Sequence, residues 1–88
     1  MENPISVKIV TPSAEAMELE CGYVKLPTPD GGSLGILRHH APLVCSLGEG
    51  TLLCRRADGE ELCFRVAPGV AHVAEDRLSV LTAQVEKI

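Results

Sequence analysis

Apolar and polar residues alternate in short runs along almost the whole chain, with Gly, Pro or Asp between one run and the next. A period of two punctuated in this way belongs to all-β sandwiches and barrels. Ile5, Val7 and Ile9 alternate with Ser6 and Lys8 until Thr11-Pro12 ends the run. Met17, Leu19 and Cys21 then alternate with Glu18 and Glu20. Residues 13 to 21 contain good helix formers, but their apolar spacing is two rather than three to four, which selects a strand. At Gly22 the apolar parity moves from odd positions to even ones, Val24 and Leu26, and this predicts a bulge or a tight bend.

Pro27 to Gly32 reads as a projecting loop, because two prolines remove ladder donors and the pair Gly31-Gly32 favours positive φ. Ser33-Leu34-Gly35-Ile36 follows as a short strand, with Gly35 expected where a second backbone comes close. Ala41-Pro42 turns the chain into Leu43-Val44. Glu49-Gly50 separates Leu43 to Leu47 from Thr51 to Arg56, and Ala57-Asp58-Gly59-Glu60 carries a two-residue hairpin signal of the Asp-Gly kind. In the next strand Leu62, Phe64 and Val66 face inward. Pro68-Gly69 ends it, and Glu75-Asp76-Arg77 turns between Val70 to Ala74 and Leu78 to Ala83. The expected fold is all-β: a flattened sandwich of two antiparallel sheets with nine to ten short strands.

Composition narrows what such a fold can do. The 88 residues make one domain, residues 1–88. Phe and Tyr together are 2% of the chain and Trp is absent, so the core is built from aliphatic side chains and Cys. The formal charge is −4, and the eight basic residues are scattered, with Arg55-Arg56 the only adjacent pair. Nucleic acid needs a concentrated basic face, so it is excluded as a partner. No apolar run approaches the length of a membrane span, and Met1-Glu2-Asn3-Pro4 lacks the start of a signal peptide, which predicts a cytoplasmic chain. Cys21, Cys45, Cys54 and Cys63 form no C-x-x-C pair and come with no secretion signal, so they read as reduced, metal-free strand residues.

His39, His40 and His72 are the candidates for a general base near neutral pH. None stands beside a nucleophile-elbow motif. A cupin-like metal site would need His39 and His40 redirected by a turn and further ligands from a distant strand, and His72 has no glutamate partner of that pattern. The pair Gly31-Gly32 lacks the following Lys-Ser/Thr of a phosphate cradle. No catalytic residue, cofactor site or metal site is expected.

The stretch Gly31 to Val44, with Leu34-Gly35-Ile36 and His40-Ala41-Pro42-Leu43 in fixed spacing, resembles the G-x-L-G-I-x-x-x-H-A-P-L signature of the epsilon subunit of F-type ATP synthases, called delta in mitochondria. Ile5 to Pro12, Val24 to Asp30, Arg65 to Val70 with Val73, and Leu78 to Ala83 resemble further strands of that family in the same order. The likeness covers roughly residues 5 to 85. Two positions depart from it: Ser33 stands where an acidic residue is common, and His39 where glycine usually precedes the histidine.

The resemblance implies a non-catalytic rotor subunit of the central stalk that couples the gamma subunit to the ring of c subunits during proton-driven ATP synthesis. Carried over by position, Thr28, Pro29, Asp30, Gly31, Gly32 and Ser33 face the c ring. His40, Ala41, Pro42, Leu43 and Cys45 lie against gamma. The implied place is the cytoplasmic face of a bacterial cell membrane, peripheral and reached only through the complex. The family's carboxy-terminal helical hairpin, which inhibits ATP hydrolysis, is expected to be absent from the sequence ending at Ile88. A free-standing β-sandwich interaction module and a small metal enzyme are the alternatives from other classes.

Overall fold

The computed structural model of the protein describes residues 4–88, leaving aside the side chains of Ala14 and Glu15. Of the Met1-Glu2-Asn3-Pro4 start, in which no signal peptide is expected, Met1 to Asn3 lie outside the described residues. Ten strands alternate with short turns: β1 Ile5–Thr11, β2 Ala14–Cys21, β3 Tyr23–Pro27, β4 Ser33–Leu37, β5 Leu43–Leu47, β6 Gly50–Arg55, β7 Glu61–Val66, β8 Gly69–Ala74, β9 Arg77–Thr82 and β10 Val85–Lys87. They form two five-stranded sheets, β2-β1-β9-β8-β5 and β10-β7-β6-β3-β4. The expected two-sheet sandwich is present, with extents of 35 × 23 × 21 Å.

Alternation along each strand makes the core. Ile5, Val7 and Ile9 of β1, Val24 and Leu26 of β3, Phe64 and Val66 of β7, and Leu78 and Val80 of β9 are all buried to within 2% exposure. Their neighbours of opposite parity are exposed or half-buried, except Pro27, which is buried at the end of β3. Burying each such aliphatic side chain contributes roughly 1.5–3 kcal/mol relative to leaving it in water, so these alternating runs supply the main driving force for closing the two sheets.

The parity shift at Gly22 marks the point where the chain leaves the first sheet and enters the second. Its N–H donates to the Arg55 carbonyl of β6 at 2.8 Å, which ties the crossing to the strand next to β3. The β6–β7 hairpin differs from the expected two-residue loop. Gly59 N–H donates to Arg56 O at 2.9 Å, Arg56 N–H to Glu60 O at 2.8 Å, and Gly59 sits at φ +94°. This is a type I turn followed by a left-handed glycine, the three-residue alternative open to the same Asp-Gly pair.

One ladder departs from the antiparallel reading: β1 runs parallel to β9, pairing Val7 with Leu78 and Ile9 with Val80. Parity decides which side chains face the core, but it is silent about the direction of a neighbour brought in from the far end of the chain. The first and ninth strands therefore lie together at the centre of their sheet, with the β1–β2 hairpin on one side and β8 and β5 on the other.

Candidate interaction surface

The β3–β4 loop repeats the turn of the β6–β7 hairpin. Thr28 N–H donates to Gly32 O at 3.0 Å and Gly31 N–H to Thr28 O at 3.1 Å. Asp30 Oδ1 accepts the Gly32 N–H at 3.0 Å, as Asp58 Oδ1 accepts that of Glu60 at 2.9 Å. Thr28 Oγ1 also donates to Asp30, and these two bonds hold the Asp30 carboxyl below the usual carboxylate range. Only Gly31 of the glycine pair takes the left-handed region, at φ +89°. Pro29 to Ser33 are exposed and Thr28 is half-buried, so the segment projects as expected.

A residue that sequence reasoning passed over holds this loop from below. Gly48 N–H donates to Pro27 O at 2.9 Å, and a Cβ at Gly48 would stand 2.3 Å from Thr28 O. Replacing Gly48 with alanine should push the Thr28–Gly32 turn away from β5, at a cost of about 1–3 kcal/mol. Amide resonances confined to residues 27–33 and 47–50 would report the shift. A spectrum unchanged there would show that the turn is held by its own hydrogen bonds alone.

The second candidate region begins beyond the other end of β4, whose last residue Leu37 lies four residues on from Ser33 and about 13 Å away at 3.3 Å per residue. His40 is half-buried, its Nδ1 2.7 Å from the carbonyl oxygen of Ala41, while Ala41 and Pro42 are exposed. In β5, Leu43 and Cys45 turn toward the core and pack against it, and Val44 and Ser46 take the outward positions. The carried-over pair Leu43 and Cys45 is thus half-buried, and Val44 between them stands open at 68% exposure.

Val44 belongs to a larger feature. Register places Ser46, Val70, Leu81 and Val10 in one row across β5, β8, β9 and β1, and Val44 beside His72 in the next. Val70 and Leu81 are 46% and 51% exposed. This outward apolar strip runs into a shallow apolar groove of about 420 Å³ between Pro12, Pro68 and Leu81. A sheet face ordinarily solvated carries polar residues at most such positions, which makes the strip a candidate contact surface. Its members lie in four separate strands, and only the observed sheet order brings them together.

The outer face of the other sheet explains Gly35 differently from expectation. A Cβ there would lie 3.1 Å from Cε1 and 3.2 Å from the hydroxyl of Tyr23, so the glycine makes room for a ring rather than for a second backbone. The Arg55 guanidinium stands 5.2 Å from the same ring and its Nη2 2.8 Å from Glu61 Oε2. The four cysteines are free thiols; Cys21 and Cys54 are buried, and Cys45 and Cys63 are half-buried. The neighbouring Cys21 sulfur and burial together push the Cys54 thiol up, which keeps it protonated and unreactive. His72 faces outward on β8, and His39 and His40 sit at the β4–β5 connection. Among the described residues no group of three or more His, Cys, Asp or Glu side chains is placed to hold a metal ion.

The exposed connections at the two ends of β4 and the apolar outer strip are the candidate contact surfaces of this β-sandwich domain. Residues 4–88 match the family model described as the β-sandwich domain of the ATP synthase delta/epsilon chain, and the chain belongs to that family. It is 38% identical to an ATP synthase epsilon chain of Campylobacter jejuni subsp. doylei over 92% of this chain and 62% of that one. With an epsilon chain of a Synechococcus strain it shares 34% identity over 94% of this chain and 59% of the relative. The chain therefore spans about three-fifths of the length of these relatives. Among solved structures, it superimposes with a TM-score of 0.87 on a chain of the Euglena gracilis mitochondrial ATP synthase, at 19% identity, over 99% of this chain and 55% of that one. A chain of the Tetrahymena thermophila mitochondrial enzyme's central stalk and c-ring matches with a TM-score of 0.71 at 17% identity, over 91% and 63%. At these identities the structural likeness establishes the fold.

Proposed function

We propose that this domain is a mechanical coupler in the rotor of an F-type ATP synthase, held between the gamma subunit and the ring of c subunits and turning with both. The strip of Val44, Val70 and Leu81, on a chain whose residues 4–88 match this family, is the observation that carries the reading. The strip and the His40–Pro42 connector make the gamma face, with Leu43 and Cys45 supporting it from behind. The Thr28–Ser33 turn makes the foot on the c ring. The domain works as part of the complex at the cytoplasmic face of a bacterial cell membrane, which it touches only through its partners, and no chemical step falls to it.

Physical economy favours such a role. A specific interface takes about 800 Å² from each partner. Two of them fit on the 5415 Å² of this surface and leave most of it to solvent. Torque passes from one contact to the other through paired strands and a core packed as densely as an organic crystal, which shears little. The family assignment leaves the free-standing module and the metal enzyme without a supporting observation.

Binding to the purified gamma subunit tests the gamma face. Val44→Asp with Leu81→Asp should weaken it at least tenfold while the melting temperature stays within a few degrees, because both side chains already face water. Pro29→Lys should leave gamma affinity intact yet lower ATP-driven proton pumping in reconstituted membranes, since the second residue of a type I turn accepts most side chains. Unchanged gamma affinity in the double variant would move the interface elsewhere on the sandwich.

A further inference from the structure

Among the described residues three non-glycine residues hold a positive φ: His39 at 64°, Glu75 at 52° and Asp76 at 59°. All three meet at one corner. Glu75 and Asp76 form the two-residue loop that closes β8 on β9, where Ala74 pairs with Arg77, and two left-handed residues in such a loop make a type I′ turn. The Asp76 carbonyl accepts the Ser6 N–H of β1 at 2.9 Å, which fixes the turn against the neighbouring strand. From that fixed turn the Asp76 carboxylate reaches across 37 positions of sequence and accepts the backbone N–H of His39 through Oδ1 at 2.5 Å.

The contact is with the main chain of residue 39. Its imidazole is 77% exposed, with Nδ1 3.6 Å from Asp76 Oδ2, whereas the Asp76 side chain is 22% exposed. A residue with a Cβ resists the left-handed region, and it stays there when its surroundings over-determine it. Here a charged acceptor aimed at its N–H does so, in the strong class of hydrogen bonds. The backbone direction set at residue 39 decides where His40, Ala41 and Pro42 point as the chain passes from β4 in one sheet to β5 in the other.

We infer that Asp76 is a positioning residue for the partner-binding connector: its carboxylate locks residue 39 in the left-handed conformation and so presents His40–Pro42 in their docking geometry before the partner arrives. The inference rests on the reading that this connector meets the gamma subunit. A connector ordered in advance does not spend binding free energy on its own ordering, and loss of the lock lowers apparent affinity by the fraction of time spent in other conformations.

Asp76→Gly removes the carboxylate while putting glycine at a turn position that favours it, so the hairpin itself is preserved. Asp76→Asn keeps an acceptor and tolerates the left-handed region. Two measurements on the protein separate the lock from its role. Amide hydrogen exchange without partner should show the His39 N–H protected in the parent and in Asp76→Asn, and at least tenfold less protected in Asp76→Gly. Binding to purified gamma subunit should weaken about tenfold in Asp76→Gly, stay within twofold in Asp76→Asn, and return to within threefold when His39→Gly is added to Asp76→Gly, because glycine enters the left-handed region without the clasp.

An unprotected His39 amide in the parent overturns the lock, whatever the binding data. A protected amide combined with unchanged gamma affinity in Asp76→Gly, in a series where Val44→Asp with Leu81→Asp weakens binding, overturns the positioning role and leaves the docking reading intact. A parent protein that fails to bind gamma at all overturns both.

Discussion

Phe64→Ala is expected to remove about 3–5 kcal/mol of stability, the usual cost of deleting a buried phenylalanine. An 88-residue domain holds roughly 4–13 kcal/mol in total, so the variant stands near the edge of folding at room temperature. Phe64 is 2% exposed on β7, beside Leu52 of β6 in register, and is the single Phe of a chain without Trp. Members of the same core that are branched at Cβ, such as Val24, Val66 and Val80, have little freedom to swing into a space that a ring leaves. Urea unfolding at equilibrium would measure the loss, and a melting temperature at least about 12 °C lower should accompany it. A loss below about 1.5 kcal/mol would mean that the two sheets close over the gap.

Gly69→Ala should be nearly as damaging for a different reason. An added Cβ would lie 1.9 Å from the Leu81 carbonyl oxygen and 3.0 Å from the Thr82 Cα, and both belong to the backbone of β9. Relief requires β8 and β9 to part at the end where Gly69 pairs with Thr82, and the buried Thr82 hydroxyl would be drawn away from the Ala67 carbonyl it bonds at 2.7 Å. We expect a cost of about 3 kcal/mol, at the upper end for overpacking. Gly59→Ala is the control. No atom lies within 4 Å of a Cβ there, so only the strain of φ +94° remains, about 1–2 kcal/mol. If the two alanine variants unfold at the same denaturant concentration, close approach at Gly69 is not what selects glycine.

Such positions show what can be read in a linear sequence. Parity along Ile5-Val7-Ile9 or Leu62-Phe64-Val66 is a local property, so the strands and their inward faces were legible, as was the bend at Gly22 where the parity changes. The partner across a strand is not local. Gly35 was legible as a glycine needed for a close approach, but the Tyr23 ring that needs it lies on the adjacent strand. Gly69 looked like ordinary strand punctuation and Gly48 carried no signal at all, although each admits a carbonyl group too close for any side chain. Family likeness pointed to His40–Leu43 and Cys45, and alternation within β5 makes Val44 the side chain that looks outward. Val70 and Leu81 drew no attention as a pair because eleven positions separate them in sequence and only the β8–β9 register sets them face to face.

The parallel pairing of β1 with β9 has a consequence in time rather than in energy. During synthesis the β1–β2 hairpin leaves the ribosome first, yet its exposed inner edge is completed only by a strand that ends at Thr82. Until then β5 and β8 have no link to it, and the first sheet exists as two fragments. Closing so long a loop precedes the contacts that reward it, which places the chain among the slow folders of its size. A nascent chain stalled before residue 77 would therefore remain protease-sensitive across β1, β2, β5 and β8, and one released a few residues beyond Thr82 would acquire resistance there in a single step.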